Sequence, residues 1–372
     1  MKHKGTAWYE IIRSLNGLYS GSVDGFEYGA LLRDYDPEQN YPFGPDDYDP
    51  DVLAREERGR RDINPLVCIK IFPGEEGRPH WHYVSMGFSD LYSDNVPHAR
   101  GESGYGFELT ARLARGDEET PPLWPINEMG DMARYVFSTG IRFREYENFH
   151  LHRRTRTQNG FNLEATAFVA DPQFKVLETE TGKVQLLQMC FLTADEYAAL
   201  RSWKASKFVE AVARFNPLFI ADPHQKSILE TPEAKRVIED GIASDGSSLG
   251  LQYANMLQVQ TLPDKFIITM SAEVVEAVLI AMRGRIPFGR HFVLNDTNDC
   301  TVKFMPNESD SVSFDDQGQL VIGLSGPAAV ELSQQFKPCA GKYRFNSLPN
   351  LEIVVTRFEV KDDAGNVVET VG

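Results

Sequence analysis

The chain of 372 residues is short of the groups that many active sites use. It has four cysteines, Cys68, Cys190, Cys300 and Cys339, all far apart. None forms a CxxC pair, which argues against a zinc ribbon or a thioredoxin-like site. Three of them sit in apolar, strand-like sequence, and buried, reduced thiols are the expectation. Basic residues are the minority: 38 Lys and Arg against 54 Asp and Glu give a net charge of -16. That charge repels phosphate backbones, and no basic stripe offsets it, so nucleic-acid binding is not expected. No stretch approaches the roughly 18 uninterrupted apolar residues that span a bilayer, so no membrane segment is predicted. The opening "MKHKGTAWYEIIRSLNGLYSG" lacks a continuous apolar region and a small-residue cleavage site. No secretion signal is therefore read, and a cytoplasmic location is expected. A GxSxG nucleophile elbow is also missing.

What is present is ample core material, with 42% hydrophobic residues. Spacing predicts a helix over 6–20, carrying Trp8, Ile11, Ile12, Leu15 and Leu18. Residues 34–51 are acidic and proline-rich and read as a surface loop. Strands are predicted at 65–72 and 81–88. The clearest alternation follows at 104–113: Tyr105, Phe107, Leu109, Ala111 and Leu113 share one face, and Gly106, Glu108, Thr110 and Arg112 the other. The first face predicts core, the second either solvent surface or the wall of a groove. A helix carrying Ile126, Met129, Ala133 and Val136 ends at Gly140. Strands at 160–169 and 184–192 lead to "LTADEY", where Thr193 and Glu196 make a capping box. Helices at 205–215 and 231–241 follow, the latter with Thr231 as cap and Gly241 as stop. The small, polar "SDGSSLG" (244–250) marks a boundary between domains at 1–246 and 251–372. Beyond it come strands at 255–261 and 265–270, a helix at 272–283 capped by Ser271, further strands, a helix near Pro327, and last strands around "DDAGN". Strands and helices mix without regular βα alternation. The fold class is therefore α+β, with two domains, each a mixed or mostly antiparallel sheet flanked by helices.

The chemistry-bearing candidates are few. His80 and His82, and likewise His150 and His152, have i, i+2 spacing, which on a strand points both rings the same way. Two such pairs would offer zinc ligands, yet neither brings a nearby Cys or a carboxylate at ligand spacing. Packed histidines bonded to the backbone are the competing reading. Asp47, Asp49 and Asp51 hint at a calcium loop but lack its glycine and glutamate. "GESGYG" (101–106) leads into a strand and carries no lysine, so its glycines read as a turn and a close backbone approach, not a phosphate cradle. Cys190 lies in "QLLQMCFLT", too apolar for an activated thiolate. No catalytic residue, metal ligand or cofactor site emerges. Aromatic and glycine residues gathered at strand ends fit a surface that adds a peptide strand.

Five stretches then matter as a set: "HWHYVSMGFSDLY" (80–92), "SGYGFELTARL" (103–113), "PPLWP…MARYVF" (121–137), "DPHQKSI…DGIASDGSSL" (222–249) and "RGRIPFGRHF" (283–292). Together they resemble the Suppressor of fused family, in order and across both expected domains. The resemblance implies a two-domain α+β protein with no catalysis and no cofactor. In animals the family restrains zinc-finger transcription factors of Hedgehog signalling by clamping an extended peptide between two domains. Its bacterial members resemble immunity proteins that neutralise toxins. The serine-rich insertion of the animal proteins is missing here between "DKFIITMS" and "AEVVEAVLIAMRGR". Arg100 also stands near an acidic peptide-contacting position. Both departures point to a compact bacterial-type member. The carried-over groove residues are Tyr92, Ile280 and His291, with Glu108 and Arg290 as neighbours by pattern. The expected partner is a protein or extended peptide, with a basic toxin as one candidate given the acidic charge. The alternative is a metal-dependent enzyme using the His80/His82 and His150/His152 pairs.

Overall fold

The structure, a computed structural model, describes residues 5–19, 26–29, 66–93, 101–151, 160–296, 299–361 and 367–372. Its elements run α1 (Ala7–Leu18), β1 (Phe26–Gly29), β2 (Cys68–Gly74), β3 (His80–Met86), β4 (Glu102–Ala114), α2 (Trp124–Thr139), β5 (Asn148–His150), β6 (Leu163–Ala170), β7 (Leu177–Thr179) and β8 (Gly182–Thr193). They continue with α3 (Ala194–Ser202), α4 (Ala205–Phe215), α5 (Pro232–Asp245), β9 (Leu251–Ala254), β10 (Leu257–Leu262), β11 (Lys265–Ser271), α6 (Val275–Gly284), β12 (Phe292–Asp296), β13 (Thr301–Pro306), β14 (Ser311–Phe314) and β15 (Leu320–Leu324). Last come α7 (Gly326–Gln335), β16 (Gly341–Arg344), β17 (Leu351–Thr356), β18 (Phe358–Lys361) and β19 (Val367–Val371). The chain is α+β, with several sheets flanked by helices. The acidic stretch 34–51 with its calcium-like aspartates, Arg100, His152 and the "DDAGN" turn lie outside the described residues.

Two compact units emerge: residues 1–197 with 209–231, and residues 198–208 with 232–372. The sequence puts the boundary at 244–250, whereas α5 groups here with the second unit. The reason is local. Trp203 Nε1 donates to Asp245 at 2.8 Å, and its ring fills the space above Gly241, where a Cβ would sit 2.1 Å from it. That packing also corrects the reading of Gly241 as a helix stop. The helix continues to Asp245, and Gly246, at φ +62°, follows it in the left-handed region. Gly241→Ala is expected to cost about 2 kcal/mol through overpacking, read as a lower urea midpoint.

The first unit is built on an eight-stranded sheet of order β1-β2-β3-β4-β8-β6-β5, with β7 also on β8. Only β4 and β8 pair in parallel; the other described pairs are antiparallel. Helix α2 covers one face, packing Met129, Ala133 and Val136 on Ile71, Tyr83, Leu109 and Leu187. Gly140 ends α2 at φ +69°. Helix α1 covers the opposite face. Thr6 caps it by accepting from Tyr9 N at 3.2 Å, and Ala7, Ile11 and Leu15 pack on Val84, Met86 and Leu186. The expected capping box at Thr193 is half made. Glu196 Oε2 accepts from Thr193 N at 2.9 Å, but the Thr193 hydroxyl donates to Asp195 at 2.6 Å. Glu196 Oε1 instead accepts from Ile228 N at 2.7 Å and pins the 222–230 segment.

The second unit holds a four-stranded sheet (β10-β11-β17-β16), a five-stranded sheet (β14-β15-β13-β12-β9) and the β18–β19 pair. Helix α6, "VEAVLIAMRG", buries all its residues but Glu276 and Arg283, which lie seven apart on one exposed stripe. Ser271 does not cap it as expected. A short turn over 272–274 comes first, and the Ser271 hydroxyl donates to Glu273 at 2.5 Å.

Candidate binding site

The polar face of β4 is the main departure from the sequence reading. Glu108, Thr110 and Arg112 are each 0% exposed. They form neither solvent surface nor groove wall, because α1 and the residues around Asp171 roof that face of the sheet. Buried polar groups need partners, and the Glu108 oxygens, the Thr110 hydroxyl and the two terminal nitrogens of Arg112 have them, while Arg112 Nε does not. Arg112 grips Asp171 with two nitrogens, at 2.8 and 2.9 Å. It also donates to Gln188 and Gln173. Thr110 donates to Asp171 at 2.7 Å. His82, the cross-strand neighbour of Arg112, places Nε2 3.3 Å from Asp171 Oδ2 and Nδ1 2.6 Å from the Tyr19 hydroxyl. One assignment serves all three groups: Tyr19 donates to Nδ1, and the Nε2–H faces the carboxylate. Burial and the Arg112 charge lower the His82 pKa to about 4, keeping the ring neutral. Burial pushes Asp171 upward, but His82 and Arg112 together hold it well below the usual carboxylate range.

Glu108, expected beside a partner groove, is instead an internal anchor. Its two oxygens accept from Ser85 Oγ (2.6 Å), Gly87 N (2.9 Å), Ser89 N (2.9 Å) and Ser89 Oγ (2.6 Å). Burial still leaves its pKa raised. The bonds fix the segment that leaves β3 and carries Tyr92. Ser103 adds a second clamp, its hydroxyl accepting from Asp90 N at 3.0 Å. Gly104 allows the approach: at φ +56°, a Cβ there would lie 2.5 Å from the Phe88 carbonyl. The glycines of "SGYG" thus serve close backbone packing. Tyr92 itself is half-buried and stacks on Trp8 of α1, with centroids 5.8 Å apart. Glu108 therefore acts on Tyr92 through the loop.

In the second unit Ile280 is 4% exposed within α6 and so belongs to the packed interior. Arg290 and His291 lie just beyond α6, in a corner organised by arginines. Arg285 donates to the His291 carbonyl at 2.7 Å and to the Ser247 carbonyl at 3.0 Å. Arg290 donates to Ser247 O at 2.8 Å and to Asp245 O. The Asp245 and Ser247 carbonyls lie at the C-terminus of α5, where cations are favoured. The "SDGSSLG" and "RGRIPFGRHF" stretches are thereby tied together. His291 is exposed and Arg290 half-buried. Of the five expected groove residues, Glu108 and Ile280 are interior, and Tyr92, Arg290 and His291 reach solvent to differing degrees.

The histidine pairs do not assemble a ligand set. Among the described residues no group of three or more His, Cys, Asp or Glu side chains is placed to hold a metal ion. His80 Nδ1 bonds the Arg78 carbonyl at 2.8 Å. His150, more than half exposed, faces Glu164 at 3.2 Å and the Tyr197 ring. Cys190 is buried, and its thiol pKa is pushed far upward. The His82–Asp171–Arg112 cluster was not foreseen. Its one sequence signal, a histidine and an arginine on strands, needs the strand register to become a contact.

Comparison with known proteins places this geometry. Residues 62–226 match the family described as Suppressor of fused protein (SUFU). Over 181 residues the chain is 33% identical to the human Suppressor of fused homolog, covering 46% of this chain and 37% of that protein. The mouse homolog gives the same figures. The match thus spans little more than a third of these relatives' length. The crystal structure of Drosophila Suppressor of Fused superposes with a TM-score of 0.67 at 18% identity, covering 95% of this chain and 97% of that one. A chain from a Sufu-Fu complex crystal structure gives 0.51 at 23% identity, over 63% of this chain and 97% of that one. At such identities these likenesses establish the fold. The matched SUFU segment contains β2 to β8, the Tyr92 loop and the whole Arg112 cluster. No described helix is long and apolar enough to cross a membrane.

Proposed function

We propose that this protein binds another protein and works by holding it, without catalysing a reaction. One observation carries the reading: the SUFU match falls on a framework in which the buried Glu108, Arg112 and Asp171 are engaged internally, while the segment that Glu108 fixes carries Tyr92. The buried acids and bases serve the framework, so the chemistry left for function is recognition. The Sufu-Fu complex supports the same class of activity in a protein of like fold. Tyr92 is the proposed anchor, of the side-chain type that dominates interfaces. Arg290 and His291 provide a second contact surface. The partner class is a protein or an extended peptide. The net charge of -16 favours a basic partner, which long-range attraction would draw in faster. A toxin neutralised in the cytoplasm by a compact bacterial member meets that description.

The test is capture of partners from host lysate on the purified protein, identified by mass spectrometry. Wild-type protein is expected to retain a discrete protein partner. Tyr92→Ala with His291→Ala is expected to weaken its binding at least tenfold, about 1.4 kcal/mol, with little change in melting temperature. Undiminished binding by this double variant would contradict the assigned surface, and no retained partner would contradict the function.

A further inference from the structure

On the α2 face of the first unit a cleft of about 410 Å³ opens between the start of β4 and residues 142–146. It exists because β4 kinks. Pairing with β8 jumps from Glu102↔Lys183 to Phe107↔Gln185, five steps on one strand against two on the other. The surplus residues loop out through Gly104 and Gly106, at φ +56° and +84°. Phe107, Phe143 and Leu187 lie beneath the cleft, and all three are buried. Tyr105 stands in its wall, edge-on to Phe137 at 5.2 Å. Around the rim Glu102 pairs with Arg142, and Glu145 accepts from Gln185 at 2.5 Å. The Arg144 side chain has no partner among the described residues.

Two features bear on what the cleft would hold. First, its ionic lining cancels: Glu102 and Glu145 against Arg142 and Arg144. In a chain of net charge -16 this is a neutral spot, so it favours neither a cation nor an anion. Rings and guanidinium planes remain, and both stack on aromatic faces. Second, Tyr146 at the mouth sits at φ +71° and is 38% exposed. Glycine takes that conformation freely, whereas a bulky residue does not. The Tyr146 hydroxyl bonds to the Glu145 carboxylate and the Tyr146 N–H donates to the Phe168 carbonyl at 2.7 Å, which together hold the ring at the mouth of the cleft.

We propose that this cleft is a docking pocket for an aromatic side chain presented by an uncharged stretch of a protein partner. Tyr105 and Tyr146 would flank the incoming ring, and the arginines would lie across its faces. The proposal rests on the reading of the chain as a protein-binding molecule, but it does not use Tyr92 and its test needs no partner. The probe is N-acetyl-L-tyrosinamide, titrated into ¹⁵N-labelled protein and followed by NMR. Capped glutamate and arginine amides serve as charged controls. Shifts are expected at 102–107 and 142–146, with at least tenfold weaker responses to the charged probes. Tyr146→Gly is expected to keep or raise the melting temperature while abolishing the shifts, a combination that a merely structural tyrosine would not give. An absence of shifts at the cleft, equal responses to charged probes, or full binding by Tyr146→Gly would overturn the proposal. Tighter binding of free tyrosine than of its capped form would also overturn it, assigning the cleft to a small molecule. If the Tyr92→Ala, His291→Ala variant captures the partner undiminished while the probe binds as expected, the Tyr92 reading falls and the pocket stands. The reverse result removes the pocket alone. If no partner is captured at all, the protein-docking role of the pocket falls with it.

Discussion

Arg112→Met is expected to destabilise the first unit by about 3–5 kcal/mol. The side chain is fully buried and holds Asp171 through two bonds. Removing it leaves a carboxylate with 2% exposure beside a neutral His82. That charge then has Thr110 and the Gln173 backbone amide as donors, but no cation. The large cost is thus the penalty of an orphaned charge, not the net worth of the pair. It follows that Arg112→Met combined with Asp171→Leu should recover much of the loss, since apolar replacements of buried ion pairs are often neutral. Urea unfolding followed by tryptophan fluorescence reads this in the first unit, where Trp81 and Trp124 are buried. A single-variant cost under about 1 kcal/mol would mean that the cluster is not closed to water as described.

The second large effect is a loss of stability in mild acid. The His82 pKa falls from 6.5 to about 4 on folding. A base with a depressed folded pKa binds protons better when unfolded, so protonation favours unfolding. His82 therefore contributes no penalty above about pH 6.5. Stability is lost as pH falls from 6.5 toward 4, by about 3 kcal/mol at 1.36 kcal/mol per pKa unit. His80, also lowered by burial, acts in the same direction. Asp171, with its pKa held down, takes over below its ordinary value of 3.8. Glu108 opposes them: its raised pKa makes its buried charge costly at higher pH, and protonation relieves that cost. His82→Gln separates these contributions. It should flatten the stability curve between pH 6.5 and 4, and an unchanged slope would place the titrating group elsewhere.

The parts of the fold that were legible are those encoded by local spacing. The alternation of β4 sorts its residues between two faces and marks the apolar one as core, and the α1 and α2 stripes follow from helical periodicity. What covers a face was not legible. Glu108 and Arg112 read as surface because charged side chains usually are. Here α1, some 90 residues upstream in the chain, lies over them, and Asp171, 59 residues downstream of Arg112, supplies the counter-charge. Gly241 shows the same limit in a helix. Its role depends on Trp203, 38 residues away, which no local rule for a helix stop takes into account. For the candidate site, the Tyr92 position was read from a motif. Its support was not, since Glu108 acts on it through serine and backbone donors on the neighbouring strand and its exit loop.

The cluster and the loop have distinct roles in this account. Arg112, Asp171 and His82 make a closed interior that keeps the sheet rigid under α1. Glu108 and Ser103 transmit that rigidity to the Tyr92 segment. Variation in the first set should change stability, and variation at Tyr92 should change binding, with little exchange between the two effects. The central claim is that the Tyr92 loop contacts a protein partner, and photo-crosslinking tests it most directly. With a photoreactive phenylalanine at position 92, irradiation in the native host should yield one discrete covalent adduct with another protein. The same residue at position 123, exposed at the N-terminal end of α2 and more than four helical turns from its Gly140 end, should not yield that adduct. A folded protein that gives no adduct from position 92, or the same adducts from both positions, would contradict the account.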